Sequence, residues 1–158
     1  MIVVADSSPL RYLIVLGQQH LLPAIFGEVW IPSAVLDELQ AAATPAPVRQ
    51  FLADPPGWLK LRNPEADALG AIAPDLGAGE RAALALACQL HADLILLDDA
   101  AGRREAVSLG IRMTGTVGVL RLAAERGLVD VPVMVAQLRQ SGFYLSESLI
   151  HDAFGRWI

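Results

Sequence analysis

The chain has 158 residues, 54% of them hydrophobic, which suits one domain with a real core, because roughly two-thirds of the unfolded surface is buried at such a length. Charged residues make up only 18% and the net charge is −5; this counts against a broad basic nucleic-acid footprint and leaves apolar surface for a protein interface. Cys88 is the only cysteine, which excludes an intramolecular disulfide and any cysteine-based zinc cluster.

Residues 2–5, Ile-Val-Val-Ala, form a short β-branched run that reads as a buried strand of a parallel sheet. Ser8 is placed as an N-cap with Pro9 at the first helical position, and the helix runs through Leu10, Leu13, Ile14 and Leu16 to Gly17. A short helix from Leu21 to Phe26 follows, then a strand at 29–31 and a helix opened by Pro32-Ser33. The Ala/Pro-rich stretch 41–47 reads as a loop, 48–53 as helical and 58–61 as a strand. Residues 63–77 read as loop, and Gly79-Glu80 opens the clearest helix, Arg81 to Leu90. Cys88 is expected to be a buried structural thiol within it. Leu94 to Leu97 is a strand ending on Asp98-Asp99; Arg103 to Leu109 is a helix; 111–113 is a strand. Helices are expected over 117–126 and 132–140, and from 143 to the end with Ser146 as cap. Such alternation implies an α/β fold, a central parallel sheet with helices on both faces, in a single domain over 1–158.

In sheets of this kind, ligands sit outside the carboxyl ends of the strands. Two strands end directly on carboxylates, Asp6 and Asp98-Asp99; Glu38 lies about two helical turns beyond the second strand, and Glu80 stands at a helix start. Gathered together, such groups repel one another unless a divalent cation neutralises them. A set of oxygen donors without His or Cys suits Mg²⁺ or Mn²⁺. Each residue alone also has an ordinary role open to it: Asp6 as a turn residue, Glu38 as a solvated helix residue, Glu80 as a dipole partner, Asp98-Asp99 as an N-cap. Only the joint pattern is informative.

That pattern resembles the PIN-domain nucleases, and among them a prokaryotic branch related to the VapC-type toxins of toxin–antitoxin pairs. The stretches that carry the resemblance are Val3 to Leu10, Ile31 to Leu39, Leu76 to Ala87, Leu96 to Arg103 and Gly115 to Leu120. They cover most of a motif core at 2–127, followed by a helical C-terminal region at 132–158. The resemblance implies a three-layer α/β/α PIN-like fold and a metal-dependent endoribonuclease. Its catalytic carboxylates would be Asp6, Glu38, Glu80 and Asp99, with Asp98 as second candidate, and the metal would be held by Asp6, Asp99, Asp98 and Glu80. The third acidic position, usually Asp in VapC-type members, is Glu80 here, and Ser7-Ser8 replaces a common Thr-Asn.

Ser7, Ser8 and Thr116 are supporting candidates, with a helix N-cap the favoured reading of Thr116. Arg103 and Arg104 are weak candidates for RNA phosphate, against a solvated face or a salt bridge bracing a carboxylate. The resemblance also implies a homodimer and a cognate antitoxin. The apolar residues Phe143, Tyr144, Leu145, Leu149, Ile150, Phe154 and Trp157 would serve such contacts or, in the preferred reading, pack on the core. With no disulfide framework, no signal-peptide pattern at the start and no apolar run near ~18 residues, a cytoplasmic protein outside the membrane is expected. Two other readings remain open: a catalytically silent PIN-like module that binds RNA or protein, and a phosphatase with Asp6 as nucleophile. Against the second, Lys60 is the only lysine.

Overall fold

The strands are short because each is an apolar triplet bounded by polar or helix-starting residues. In the computed structural model, which describes residues 1–143 and 145–158, they are β1 (Val3–Ala5), β2 (Val29–Ile31), β3 (Leu59–Leu61), β4 (Leu94–Leu96) and β5 (Met113–Thr114). All pair in parallel, in the order β3-β2-β1-β4-β5. Val3, Val4, Ala5, Ile95 and Leu96 are fully buried, as expected of central parallel strands covered on both faces. The helices that cover them include α1 (Ser7–Val15), α2 (Leu21–Phe26), α3 (Ser33–Gln40), α4 (Ala46–Ala53), α5 (Ala66–Gly70) and α6 (Ala78–Gln89). Further on come α7 (Ala100–Ser108), α8 (Thr116–Glu125), α9 (Val131–Gln140) and α10 (Glu147–Phe154). The architecture is the three-layer α/β/α arrangement expected from the alternation.

The chain builds outward from β1 to β2 and β3, then returns to the other side of β1 for β4 and β5. This reversal opens a crevice at the carboxyl ends of β1 and β4, where connections diverge to opposite sides. Register places the two ends level: Ala5 pairs with Leu96, and the Asp6 amide donates to the Leu96 carbonyl at 2.9 Å. Asp6 and Asp98-Asp99 therefore leave the sheet at the same edge.

Several boundaries differ from the sequence expectation. Helix α1 begins at Ser7, so Asp6, not Ser8, is the N-cap and Pro9 is the third helical residue. A single turn, α5, occupies part of the expected loop and packs on α6. Helices α6 and α7 each start three residues early, because their first turns are capped by Glu38 and Asp99. Thr116 is the first residue of α8, and Gly115 holds the N-cap position. Cys88 is half-exposed: it follows the buried run Ala82–Ala87 at the point where the helix turns it off the core, and burial of the thiol still raises its pKa. Ser146 caps α10 as expected, accepting the Leu149 amide at 3.1 Å. Ile150 and Phe154 are buried while Leu149 is exposed, so α10 packs on the core. Tyr144 lies outside the described residues.

Candidate active site

Asp6 is 4% exposed, and its Oδ1 is buried with no hydrogen-bond partner among the described residues. Burial pushes its pKa from 3.8 to about 6; the adjacent Ser7 amide offsets part of this, and the charges of Glu38, Asp98 and Asp99 add to it. A carboxylate in such surroundings favours its proton unless a cation replaces it.

Glu80 faces Asp6 from the first turn of α6. Its Oε2 is likewise buried and unpartnered among the described residues. Its pKa rises to about 7, first through burial, then through the charges of Asp99 and Asp6, a hydrogen bond with Asp99, and Glu38. Contacts gather four sequence-predicted acids in one cluster: Glu38 bonds to Ser7, next to Asp6, and to Gly79, next to Glu80, while Glu80 Oε2 rests over Gly102, whose amide Asp99 accepts; Asp98 stands at the margin.

The remaining carboxylates are tied down. Glu38 Oε1 accepts the Gly79 amide at 3.0 Å, and Glu38 Oε2 accepts the Ser7 hydroxyl at 2.8 Å. Glu38 thus caps α6 from another helix, where the N-terminal amides favour an anion. Asp99 Oδ2 accepts the amides of Ala101 and Gly102, at 3.0 and 3.3 Å, and caps α7. Asp98 Oδ1 accepts the Thr116 amide at 2.8 Å and Asp98 Oδ2 the Thr116 hydroxyl at 2.7 Å. Through these two bonds Asp98 fastens α8 to the end of β4. Thr116, expected as an N-cap, instead donates its hydroxyl to a carboxylate. Ser7 is spent on Glu38, while Ser8 has no side-chain hydrogen bond among the described residues.

Arg103 Nε donates to the Leu97 carbonyl at 3.0 Å, bracing α7 against the end of β4 with no ion pair to a carboxylate among the described residues. Arg104 is exposed. The sequence reading assigned no role to three glycines on which carboxylates rest. A Cβ on Gly79 would meet Glu38 Oε1 at 2.5 Å, one on Gly102 would meet Glu80 Oε2 at 2.8 Å, and one on Gly115 would meet Asp98 Oδ1 at 2.5 Å. Gly79 and Gly102 lie ahead of the helix starts read from the sequence, at Arg81 and Arg103, and only the structure places them in a helical turn.

No three acidic, His or Cys side chains among the described residues already close into a coordination shell. What fits a cation is the chemistry of the donors: oxygen only, with the free oxygens of Asp6 and Glu80 buried and held at elevated pKa. That is the preference of a hard divalent ion. A cavity of about 480 Å³ beside Met1, Phe26, Asp93 and Arg126 holds none of these acids and lies at the opposite edge of the sheet.

Fold and site together define an α/β protein with a carboxylate cluster at the switch point of a parallel sheet, the arrangement of a nuclease-type fold. A family model described as a PIN domain matches residues 2–157, and the chain belongs to the PIN-domain family. No match was found among curated proteins. PIN domains are typically nucleases, hydrolases that act on nucleic acids and generally use divalent metals. No described helix is long and apolar enough to cross a membrane.

Proposed function

We propose that this PIN-domain protein is an Mg²⁺- or Mn²⁺-dependent endoribonuclease that cleaves RNA phosphodiester bonds. The observation that carries the reading is the pair of buried, unpartnered carboxylate oxygens, Asp6 Oδ1 and Glu80 Oε2, at the β1/β4 switch point. Asp6, Glu80 and Asp99 would hold the cation. Asp98, with both oxygens on Thr116, takes the role of a brace. A bound divalent ion supplies an acidified water and neutralises charge on the scissile phosphate.

The protein's own groups do the rest. Glu38, fixed by Ser7 and Gly79, holds negative charge beside Asp6 and keeps the cluster cation-seeking. Asp99, locked by the first turn of α7, orders the side of the site that Glu80 faces. Arg104, exposed four residues beyond Ala100, is available to an RNA phosphate. The toxin role, with a cognate antitoxin, a homodimer and a cytoplasmic setting, belongs to this reading through the resemblance to VapC-type proteins.

The test is cleavage of a pool of single-stranded and structured RNA by the wild type and Asp6→Ala, with Mn²⁺, Mg²⁺ or EDTA. Cleavage that requires metal and disappears in the variant is expected. An inactive wild type at high enzyme concentration with both metals defeats the proposal in favour of a silent RNA- or protein-binding module.

A further inference from the structure

Glu38 reaches from α3 to the first turn of α6, where its two oxygens take the Gly79 amide and the Ser7 hydroxyl. A Cβ at residue 79 would stand 2.5 Å from Oε1, 2.7 Å from the carboxyl carbon and 2.7 Å from Oε2. All three nearest atoms belong to one carboxylate, and all three distances fall well inside the ~3.5–4 Å of ordinary contact between non-bonded atoms. The backbone makes no such demand, since Gly79 is helical and outside the left-handed region, where alanine is the better residue by propensity. The requirement for glycine comes from Glu38.

We infer that Gly79 is a positioning residue: the missing side chain sets where the Glu38 carboxylate stands, against Ser7 and beside Asp6. The consequence for metal binding rests on the nuclease reading; the geometric half does not. Because the carboxylate is the far end of a flexible side chain, a methyl at residue 79 displaces Glu38 and leaves α6 in place.

The first measurement is a thermal cycle on metal-free protein with wild type, Gly79→Ala, Glu38→Ala and the double variant. Gly79→Ala lowers Tm when Glu38 is present, because the carboxylate loses both donors. In the Glu38→Ala background the same change is neutral or raises Tm. Lowering of equal size in both backgrounds overturns the inference. Should Gly79→Ala alone fail to fold, a folded double variant supports the inference and an unfolded one overturns it.

The second measurement is Mn²⁺ titration calorimetry. Gly79→Ala is expected to weaken Mn²⁺ binding, because it moves the Glu38 charge away from the ligand Asp6. In a Glu38→Asp background, where the carboxylate is drawn back from residue 79, the same change is expected to cost measurably less. An equal loss in both backgrounds overturns the inference. A wild type that binds no Mn²⁺ brings down the nuclease reading, and the thermal cycle still decides the role of Gly79.

Discussion

Asp6 is where burial and charge act most directly on a single group. Its proton is held in the folded state up to about pH 6 and in the unfolded chain only to about 3.8. Between those values the folded protein binds the extra proton, so the stabilisation is complete below about pH 4 and is lost as pH rises through 6. The gap between the folded and unfolded values corresponds to on the order of 3 kcal/mol. Melting in EDTA is therefore expected to show Tm falling from pH 4.5 to 8, with Asp6→Asn declining less steeply below pH 6 and keeping the part that Glu80 contributes. A flat wild-type profile, or an unchanged slope in the variant, contradicts this. Strand ends marked Asp6 and Asp98-Asp99 in the sequence and a helix start marked Glu80, whereas Glu38, inside α3, was legible only as part of the joint pattern. What each oxygen binds was not legible. The bonds from Thr116 to Asp98 and from Ser7 to Glu38 span 18 and 31 residues, and nothing local announces them.

At the level of elements, one carboxylate does two jobs. Asp99 caps α7 through Oδ2 and lies beside Glu80. Asparagine caps a helix about as well as aspartate, whereas alanine costs typically ~1 kcal/mol. Asp99→Asn is thus expected to melt near the wild type in EDTA yet lose Mn²⁺-dependent RNA cleavage, while Asp99→Ala loses both. Equal cleavage by Asp99→Asn and wild type removes Asp99 from the metal side. The same capping explains why the helix starts were misplaced: periodicity of apolar residues begins at Arg103 and Arg81, whereas the hydrogen bonds begin at Ala100 and Ala78. The missed α5 is one turn between prolines and glycines, too short for any periodicity, and its stability comes from packing on α6.

Across the molecule, the sequence conveyed the alternation of strands and helices, and with it the parallel sheet. The strand order follows from packing between elements far apart in the chain. The C-terminal region shows the difference: the motif stretches end near 127, yet the family match extends to 157 and Phe154 is fully buried. Phe154→Ala is expected to cost about 3–5 kcal/mol and to lower the single melting transition of the whole chain; an early separate transition of α9 and α10 would show them to be an appendage. Charge also reads differently at this scale. The five acids of the site equal the whole excess of −5, so the rest of the chain carries equal numbers of acidic and basic side chains, which weakens the objection from acidity to an RNA partner without supplying a basic footprint.

The strand order carries a further consequence during synthesis. The two strands that flank the crevice begin at Val3 and Leu94, and Asp98 is fastened only when Thr116 has been made. A nascent chain that ends before Glu80 holds Asp6 and Glu38 without their opposing acids, and one that ends before Thr116 holds all five acids with Asp98 unfastened. The cluster is therefore a late joining of two halves of the sheet: the acids that follow β1 and β2 meet those of α6 and the β4 end only once the chain has been made past Asp99.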